Sequence, residues 1–98
     1  MDNAHMIAVF AALGHEVRLK LWQVLLPFGS NGLSAGQIAA RVSMLPSSLS
    51  FHLHRMTQAR ILSERRSSRQ IIYAVNSNTI GEIVRHMAVA IERGDGRS

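Results

Sequence analysis

Residues 33–60 read LSAGQIAARVSMLPSSLSFHLHRMTQAR and contain two helix-forming segments separated by a short turn. Ser34 and Gln37 have the capping-box spacing, in which the Ser hydroxyl and the Gln side chain satisfy backbone N–H groups that the start of a helix leaves free. We therefore expect the first of the two helices to begin at Ser34 and to continue through Val42.

The second segment follows a turn at residues 43–45. Pro46 suits the first turn of a helix, where its missing N–H costs nothing, and we expect this helix to continue to residue 59 or 60. Two consecutive helices joined by a tight turn predict a helix-turn-helix motif.

Two further helices are predicted before this motif, over residues 4–13 and 15–26. Gly14 separates them, Pro27 cannot continue the second, and residues 28–32 form a turn cluster. An apolar stripe at helical spacing marks the buried face of the second helix, and it consists of Val17, Leu21, Val24 and Leu25.

The pattern changes to strands after the helix-turn-helix. Residues 61–66 and 70–75 are rich in strand-forming residues and residues 67–69 separate them, so we expect a β-hairpin. The order of elements predicts a mainly α fold with a small β-hairpin, which is a winged helix-turn-helix.

A last helix is predicted after the hairpin, with Asn78 or Thr79 as its cap. It carries one apolar stripe, formed by Ile80, Ile83, Val84, Met87 and Ile91. We expect residues 1–93 to form one winged helix-turn-helix domain, and residues 94–98 to form a disordered tail.

The composition narrows the class of protein. A chain of 98 residues supports one small domain, and the absence of Cys excludes disulfides, thiolate metal sites and Cys nucleophiles. No segment approaches about 18 consecutive apolar residues, so we expect no transmembrane helix. The net charge is +5, and all basic residues except Lys20 are Arg, whose rigid fork of donors suits phosphate and base edges.

The fourth predicted helix has two different faces. Its core face holds Leu49, His52, Leu53 and Met56, and its opposite face holds Ser47, Ser50, Phe51, His54 and Gln58, with Ser48 and Arg55 flanking. Short hydroxyls at a helix start suit close approach to phosphate, and an exposed Phe suits contact with a thymine methyl group. The alternative is that the serines only cap the helix and that Phe51 packs on a neighbour. We interpret His52 as a core histidine bonded to a neighbouring turn; His54 either contacts phosphate or is solvated.

The hairpin adds a cluster of positive charge. Between positions 55 and 69 five Arg stand against one acid, Glu64, and they are Arg55, Arg60, Arg65, Arg66 and Arg69. Arg69 is predicted at the hairpin tip, where a basic side chain can enter a minor groove or contact phosphates. A solvated charged face is the alternative.

Catalysis is disfavoured, because no carboxylate stands near Ser48 and His52 to orient the imidazole, and we expect no enzyme activity.

The motifs over residues 6–92 resemble the arsenic-repressor (ArsR/SmtB) family of bacterial winged-helix regulators. The matching stretches are LGHEVRLKL at 13–21, LSAGQIA at 33–39, SSLSFHLHRM at 47–56 and RQIIY at 69–73, and LSFHL at 49–53 is the most specific. The resemblance implies a cytoplasmic repressor that is released by an inducer. It also implies a homodimer, built on the first and last helices, that binds a palindromic operator.

The chain departs from the family at the positions that sense metals. The Cys-x-Cys pair of many relatives corresponds to Ser34 and Gly36, which cannot replace soft thiolates. The zinc-binding positions of others fall near Asn76, Asn78, Val89 and Glu92, and the adjacent cysteines of a subgroup fall near Ile91 and Glu92. We expect no cofactor and no family metal site, and the inducer is unknown.

Three hypotheses therefore remain from the sequence. The first is a repressor that binds double-stranded DNA through Ser47, Ser48, Ser50, Phe51, His54, Arg55, Arg65, Arg66 and Arg69. The second is a winged-helix module that binds other proteins. The third is a repressor that senses a metal or small molecule at an unrecognised site, for example one that combines His5 of one chain with His86 of another across the dimer.

Overall fold

Helices dominate the computed structural model, which describes residues 1–97, and the predicted order of elements is confirmed. The helices are α1 (Asn3–Leu13), α2 (Glu16–Leu25), α3 (Ala35–Val42), α4 (Pro46–Gln58) and α5 (Ser77–Arg97). The strands are β1 (Leu33–Ser34), β2 (Leu62–Ser67) and β3 (Gln70–Val75). The fold is a winged helix-turn-helix, in which α3 and α4 form the motif and β2 and β3 form the wing.

Local side-chain contacts define where the first three helices begin. The predicted capping box is present at α3, where the Ser34 hydroxyl accepts from the Gln37 N–H and the Gln37 side chain accepts from the Ser34 N–H. Asp2 caps α1 by accepting from the His5 N–H, and His15 caps α2 through its Nδ1 atom, which accepts from the Val17 N–H. Each contact satisfies a backbone donor that the helix itself leaves free.

A 3-10 helix (Leu26–Asn31) occupies much of the predicted turn after α2. Gly29 and Gly32 both have positive φ angles within and after it. Gly32 also approaches β3 closely, because a Cβ at this position would collide with the carbonyl oxygen of Tyr73. The chain reverses here and enters β1.

The sheet has the strand order β1-β3-β2 and is antiparallel throughout. The sequence predicted the hairpin but not β1, which pairs Leu33 with Tyr73 and Ser34 with Ile72. A two-residue strand has too little pattern to predict from the sequence, and its pairing depends on a partner about forty residues away. This pairing attaches the wing to the start of α3.

One apolar core lies between the helices and the sheet. Its fully buried large side chains come from five elements and the turn after α4, and they are Val9, Leu21, Leu25, Ile38, Leu49, Leu53, Met56, Ile61 and Leu62. The predicted core face of α4 is confirmed for Leu49, Leu53 and Met56. In α2, Leu21 and Leu25 are buried and the other two stripe residues are half-buried.

Helix α5 begins at Ser77, one residue before the earlier of the two predicted caps, and extends through Arg97. The predicted tail at residues 94–98 thus coincides with the last turn of this helix, and Ser98 lies outside the described residues. Among residues 1–97, no helix combines the length and apolar character that a membrane span requires.

Candidate nucleic-acid interface

The start of α4 is open to solvent. Its N-cap residue is Leu45, which makes no side-chain hydrogen bond to the helix, and Pro46 follows at the first position. Ser47 and Ser48 are exposed beside these first backbone groups. The serines therefore do not serve as the N-cap, and a negatively charged partner is favoured at this end of the helix by its dipole.

The outward face of α4 is exposed as predicted. Every residue assigned to it is exposed, which includes Ser47, Ser48, Ser50, Phe51, His54, Arg55 and Gln58. Phe51 retains 52% of its accessible surface, so it does not pack into the core. The Arg55 guanidinium lies over the Phe51 ring, 5.3 Å from its centroid, which holds both side chains on the same side of the helix.

The prediction for His52 was partly wrong. The residue is half-buried, and its bonding partner is α2 rather than a turn, because Arg18 Nε donates to His52 Nδ1 at 3.3 Å. The His52 ring also lies 5.0 Å from the His15 ring and meets the Phe51 ring edge-on at 5.6 Å. Burial lowers the pKa of His52 from its ordinary value of 6.5, and the charges of His15 and Arg18 lower it further.

The wing presents its arginines in two different environments. Ser68 and Arg69 form the two-residue tip, where Ser68 adopts a left-handed conformation, and both Arg66 and Arg69 are exposed. Arg65 is also exposed, but its guanidinium donates to the carbonyl oxygen of Asn31 at 3.3 Å. Arg66 and Arg69 are therefore more available to a partner than Arg65.

Glu64 is the single carboxylate of the wing, and it lies opposite Tyr73 in the hairpin. Burial raises the pKa of the Tyr73 hydroxyl, and the charge of Glu64 raises it further. Glu64 lies in the middle of β2, which continues to Ser67 before the tip begins. The carboxylate is therefore away from the tip, and the tip itself is basic.

The positions that hold metals in related families serve other purposes or are exposed. Ser34 is buried within its capping box, and Glu92 is exposed on α5. The imidazole of His5 contacts the carbonyl oxygen of Ala59 through its Nε2 atom, at 3.2 Å. Glu82 and His86 lie on the exposed side of α5 beside Met1. Within residues 1–97, no three metal-binding side chains come together.

Sequence reasoning missed the contribution of α2 to this surface. No contact of His15 or Arg18 with α4 was predicted. Their contacts with His52 join residues 34 or more positions apart, and no local pattern indicates such a pairing.

The sequence and the fold are both similar to those of known transcriptional regulators. The chain is 29% identical over 87 residues to the transcriptional repressor SdpR of Bacillus subtilis (strain 168), which covers 89% of this chain and 93% of that protein. An ArsR-like transcriptional regulator from Rhodococcus sp. RHA1 matches 96% of this chain and 86% of its own, with a TM-score of 0.85 and 23% identity. The chain has the fold of the ArsR-family transcriptional regulators.

The ArsR-type fold also occurs in a homodimeric winged helix-turn-helix DNA-binding domain from Mycobacterium bovis. That domain matches 91% of this chain and 81% of its own, with a TM-score of 0.69 and 20% identity. No protein-family model matches the sequence. The resemblance inferred from the motifs is confirmed by these relatives.

Proposed function

We propose that this protein is a transcriptional repressor that binds double-stranded DNA in a sequence-specific manner. The observation that carries the proposal is the outward face of α4, where an exposed Phe51 stands among three exposed serines beside Arg55, without a carboxylate. An exposed face of this composition suits contact with base edges in the major groove, because small polar groups can hydrogen-bond to the bases and the aromatic ring can contact a thymine methyl group.

Each part of the surface has a distinct role in this proposal. Ser47 and Ser48 approach phosphate at the helix start, while Ser50, Phe51 and His54 lie along the groove and contact base edges. Basic side chains hold the phosphates or enter the minor groove on either side, and they are Arg55, Arg65, Arg66 and Arg69. Arg65 takes part by exchanging its bond to Asn31 for one to phosphate.

The protein acts as a homodimer in this proposal. Large apolar side chains are exposed on α1 and α5, namely Ile7, Phe10, Val84, Met87, Val89 and Ile91. A small monomer rarely leaves so much apolar surface in water, and a second copy would cover it. Two α4 helices related by a twofold axis would bind a palindromic site whose half-sites are about one helical turn apart. We place this activity in the cytoplasm.

The oligomeric state is tested by light scattering after size-exclusion chromatography. We expect the unaltered protein to elute with the mass of two chains and the double variant Ile7→Glu with Met87→Glu to elute with the mass of one. Leu45→Glu is the matched control, because Leu45 is also an exposed apolar residue but lies at the start of α4. A monomeric unaltered protein would contradict the dimer.

The function itself is tested by fluorescence anisotropy with a duplex from upstream of the protein's own gene and a scrambled duplex of equal composition. We expect selective binding that weakens with salt and is unchanged by EDTA, arsenite or cadmium, because the chain has no thiolate. Equal binding of both duplexes at two salt concentrations would refute the proposal and favour a protein-interaction module. Dependence on EDTA would favour a site built from His and Glu.

A further inference from the structure

A chain of side-chain contacts connects α2 to the outward face of α4. It begins with the hydrogen bond from Arg18 Nε to His52 Nδ1, continues through the edge contact of the His52 and Phe51 rings, and ends with the Arg55 guanidinium over Phe51. Arg18 is itself half-buried, whereas Phe51 and Arg55 are exposed. The contacts therefore run from the edge of the core to the surface assigned to DNA.

We propose that Arg18 is a positioning residue for sequence recognition, which holds the imidazole of His52 and thereby fixes the orientation of Phe51 on α4. This inference rests on the proposed function. Arg18 does not need to contact DNA in this role. It acts through His52, whose ring accepts a hydrogen bond from Arg18 and meets the Phe51 ring edge-on.

The hydrogen bond requires a particular protonation state. Arg18 Nε is always a donor, so His52 Nδ1 must carry no proton in order to accept. When His52 takes up a proton, both of its ring nitrogens become donors, and a cationic ring then faces a guanidinium. The contact must break, and Phe51 loses the ring that holds it.

The surrounding charges do not compensate for this proton. From α2, the groups that act on His52 are His15 and Arg18, and both oppose a positive charge on it. On the other elements packed on α4, Arg41 of α3 lies over Phe28 and Arg65 of β2 contacts Asn31. Neither these two residues nor Glu64 and Arg66 of β2 are among the charges that shift the pKa of His52. Helix α1 contributes alanines to the depression of about 290 Å³ beside Arg18 and Arg55.

The two effects of acid on DNA binding have opposite signs. A protonated His52 adds positive charge, which strengthens binding to every duplex, whereas the released Phe51 weakens the preference for one sequence. Acid should therefore lower selectivity, defined as the ratio of the dissociation constants for scrambled and preferred duplexes, without lowering overall affinity. A side chain that only stabilises the fold would not separate these quantities.

The experiment compares Arg18→Leu with Lys20→Leu, which removes one positive charge from an exposed position of the same helix. Selectivity is measured by anisotropy from pH 8 to pH 5.5 at constant ionic strength, after circular dichroism has shown that each variant is folded. For the unaltered protein and Lys20→Leu we expect selectivity to decline only at a pH below 6.5, because the pKa of His52 is lowered in the folded chain. For Arg18→Leu we expect roughly tenfold lower selectivity at pH 8, the scale of one lost base contact, and no further decline.

A second variant keeps the test decisive if Arg18→Leu does not fold. His52→Asn retains an acceptor oxygen close to the position of Nδ1 but does not titrate. We expect it to keep its selectivity at pH 8 and at pH 5.5. His54 is present in every one of these proteins, so its contribution cancels in the comparison.

The outcomes separate this inference from the function on which it rests. Selective binding by Arg18→Leu with the unaltered pH profile, or an acid decline that persists in His52→Asn, would overturn the positioning role alone. Failure of the unaltered protein to prefer any duplex would refute the proposed function and this inference with it.

Discussion

The Nε2 atom of His5 lies 3.2 Å from the carbonyl oxygen of Ala59, and this contact joins α1 to the C-terminal end of α4. The last carbonyl groups of a helix have no partner within the helix, so a side chain from another element satisfies one of them here. The contact connects a helix assigned to dimerisation with the helix assigned to DNA.

We expect His5→Ala to lower the free energy of unfolding by about 1 kcal/mol, the usual net contribution of one hydrogen bond. Urea denaturation at one fixed protein concentration measures the change, since dimer stability depends on concentration. His86→Ala is the control, because His86 is an exposed histidine of α5. Equal effects of the two variants would show that the contact with Ala59 adds nothing.

The double variant Ser50→Ala with Phe51→Ala should reduce discrimination between the preferred and scrambled duplexes. Both side chains are exposed on the outward face of α4, so their removal leaves the core intact. Anisotropy titrations should show weaker binding to the preferred duplex and nearly unchanged binding to the scrambled one. Ser30→Ala, an exposed serine before β1, serves as the control. Equal losses on both duplexes would argue against base reading.

Arg69→Ala should weaken binding to all sequences alike. Each arginine that neutralises a phosphate steepens the dependence of affinity on salt, so the slope of log K against log salt should fall by about one for each wing on DNA. Arg85→Ala removes the same charge from α5 and should leave the slope unchanged. An unchanged slope for Arg69→Ala would exclude the wing tip from the phosphate contacts.

Acid should destabilise the fold through His52. Its pKa is lowered in the folded chain, so the unfolded chain takes up a proton near pH 6.5 while the folded chain does not. The free energy of unfolding therefore falls as the pH decreases from about 6.5 and levels off below the folded pKa. Thermal unfolding across pH 8 to 5 should show a smaller decline for His52→Asn than for His54→Asn, whose side chain is exposed.

Two glycines should respond to alanine in opposite directions. Gly32 has a φ of 64°, and an added Cβ would collide with the Tyr73 carbonyl, so Gly32→Ala should cost more than about 1 kcal/mol. Gly36 lies in α3, and a Cβ added there would come no closer than 4.0 Å to another group, the Ser34 hydroxyl, so Gly36→Ala should stabilise by about 0.5–1 kcal/mol. Chemical denaturation of both variants provides the comparison, and equal signs would contradict it.

The sequence predicted the elements whose cause is local. The capping box of Ser34 and Gln37, the position of Pro46 and the apolar spacing of Leu49, Leu53 and Met56 each depend on neighbours within one or two helical turns, and the structure confirms them. The exposed face of α4 followed from the same spacing, because the residues opposite a buried stripe must face outward.

The remaining features depend on distant partners. The strand β1 exists because Leu33 meets Tyr73, and the orientation of His52 depends on Arg18 in another helix. Helix α5 continues across Gly94 to Arg97, where a tail was predicted because chain ends are often poorly ordered. The spacing of residues in a sequence does not predict contacts between residues 30 or 40 positions apart, so these features became visible only in the structure.

The pairing of Leu33 and Ser34 with β3 connects the wing directly to the start of the helix-turn-helix. Ser34 is both the strand partner of Ile72 and the N-cap of α3, so the hairpin cannot tilt without carrying α3 along. In the proposed dimer, the angle between the two protomers is then easier to change than the angle between the wing and α3 within one protomer. In the proposed dimer, any ligand that changed this angle would move the two α4 helices out of the spacing that two half-sites require, without changing the shape of either protomer.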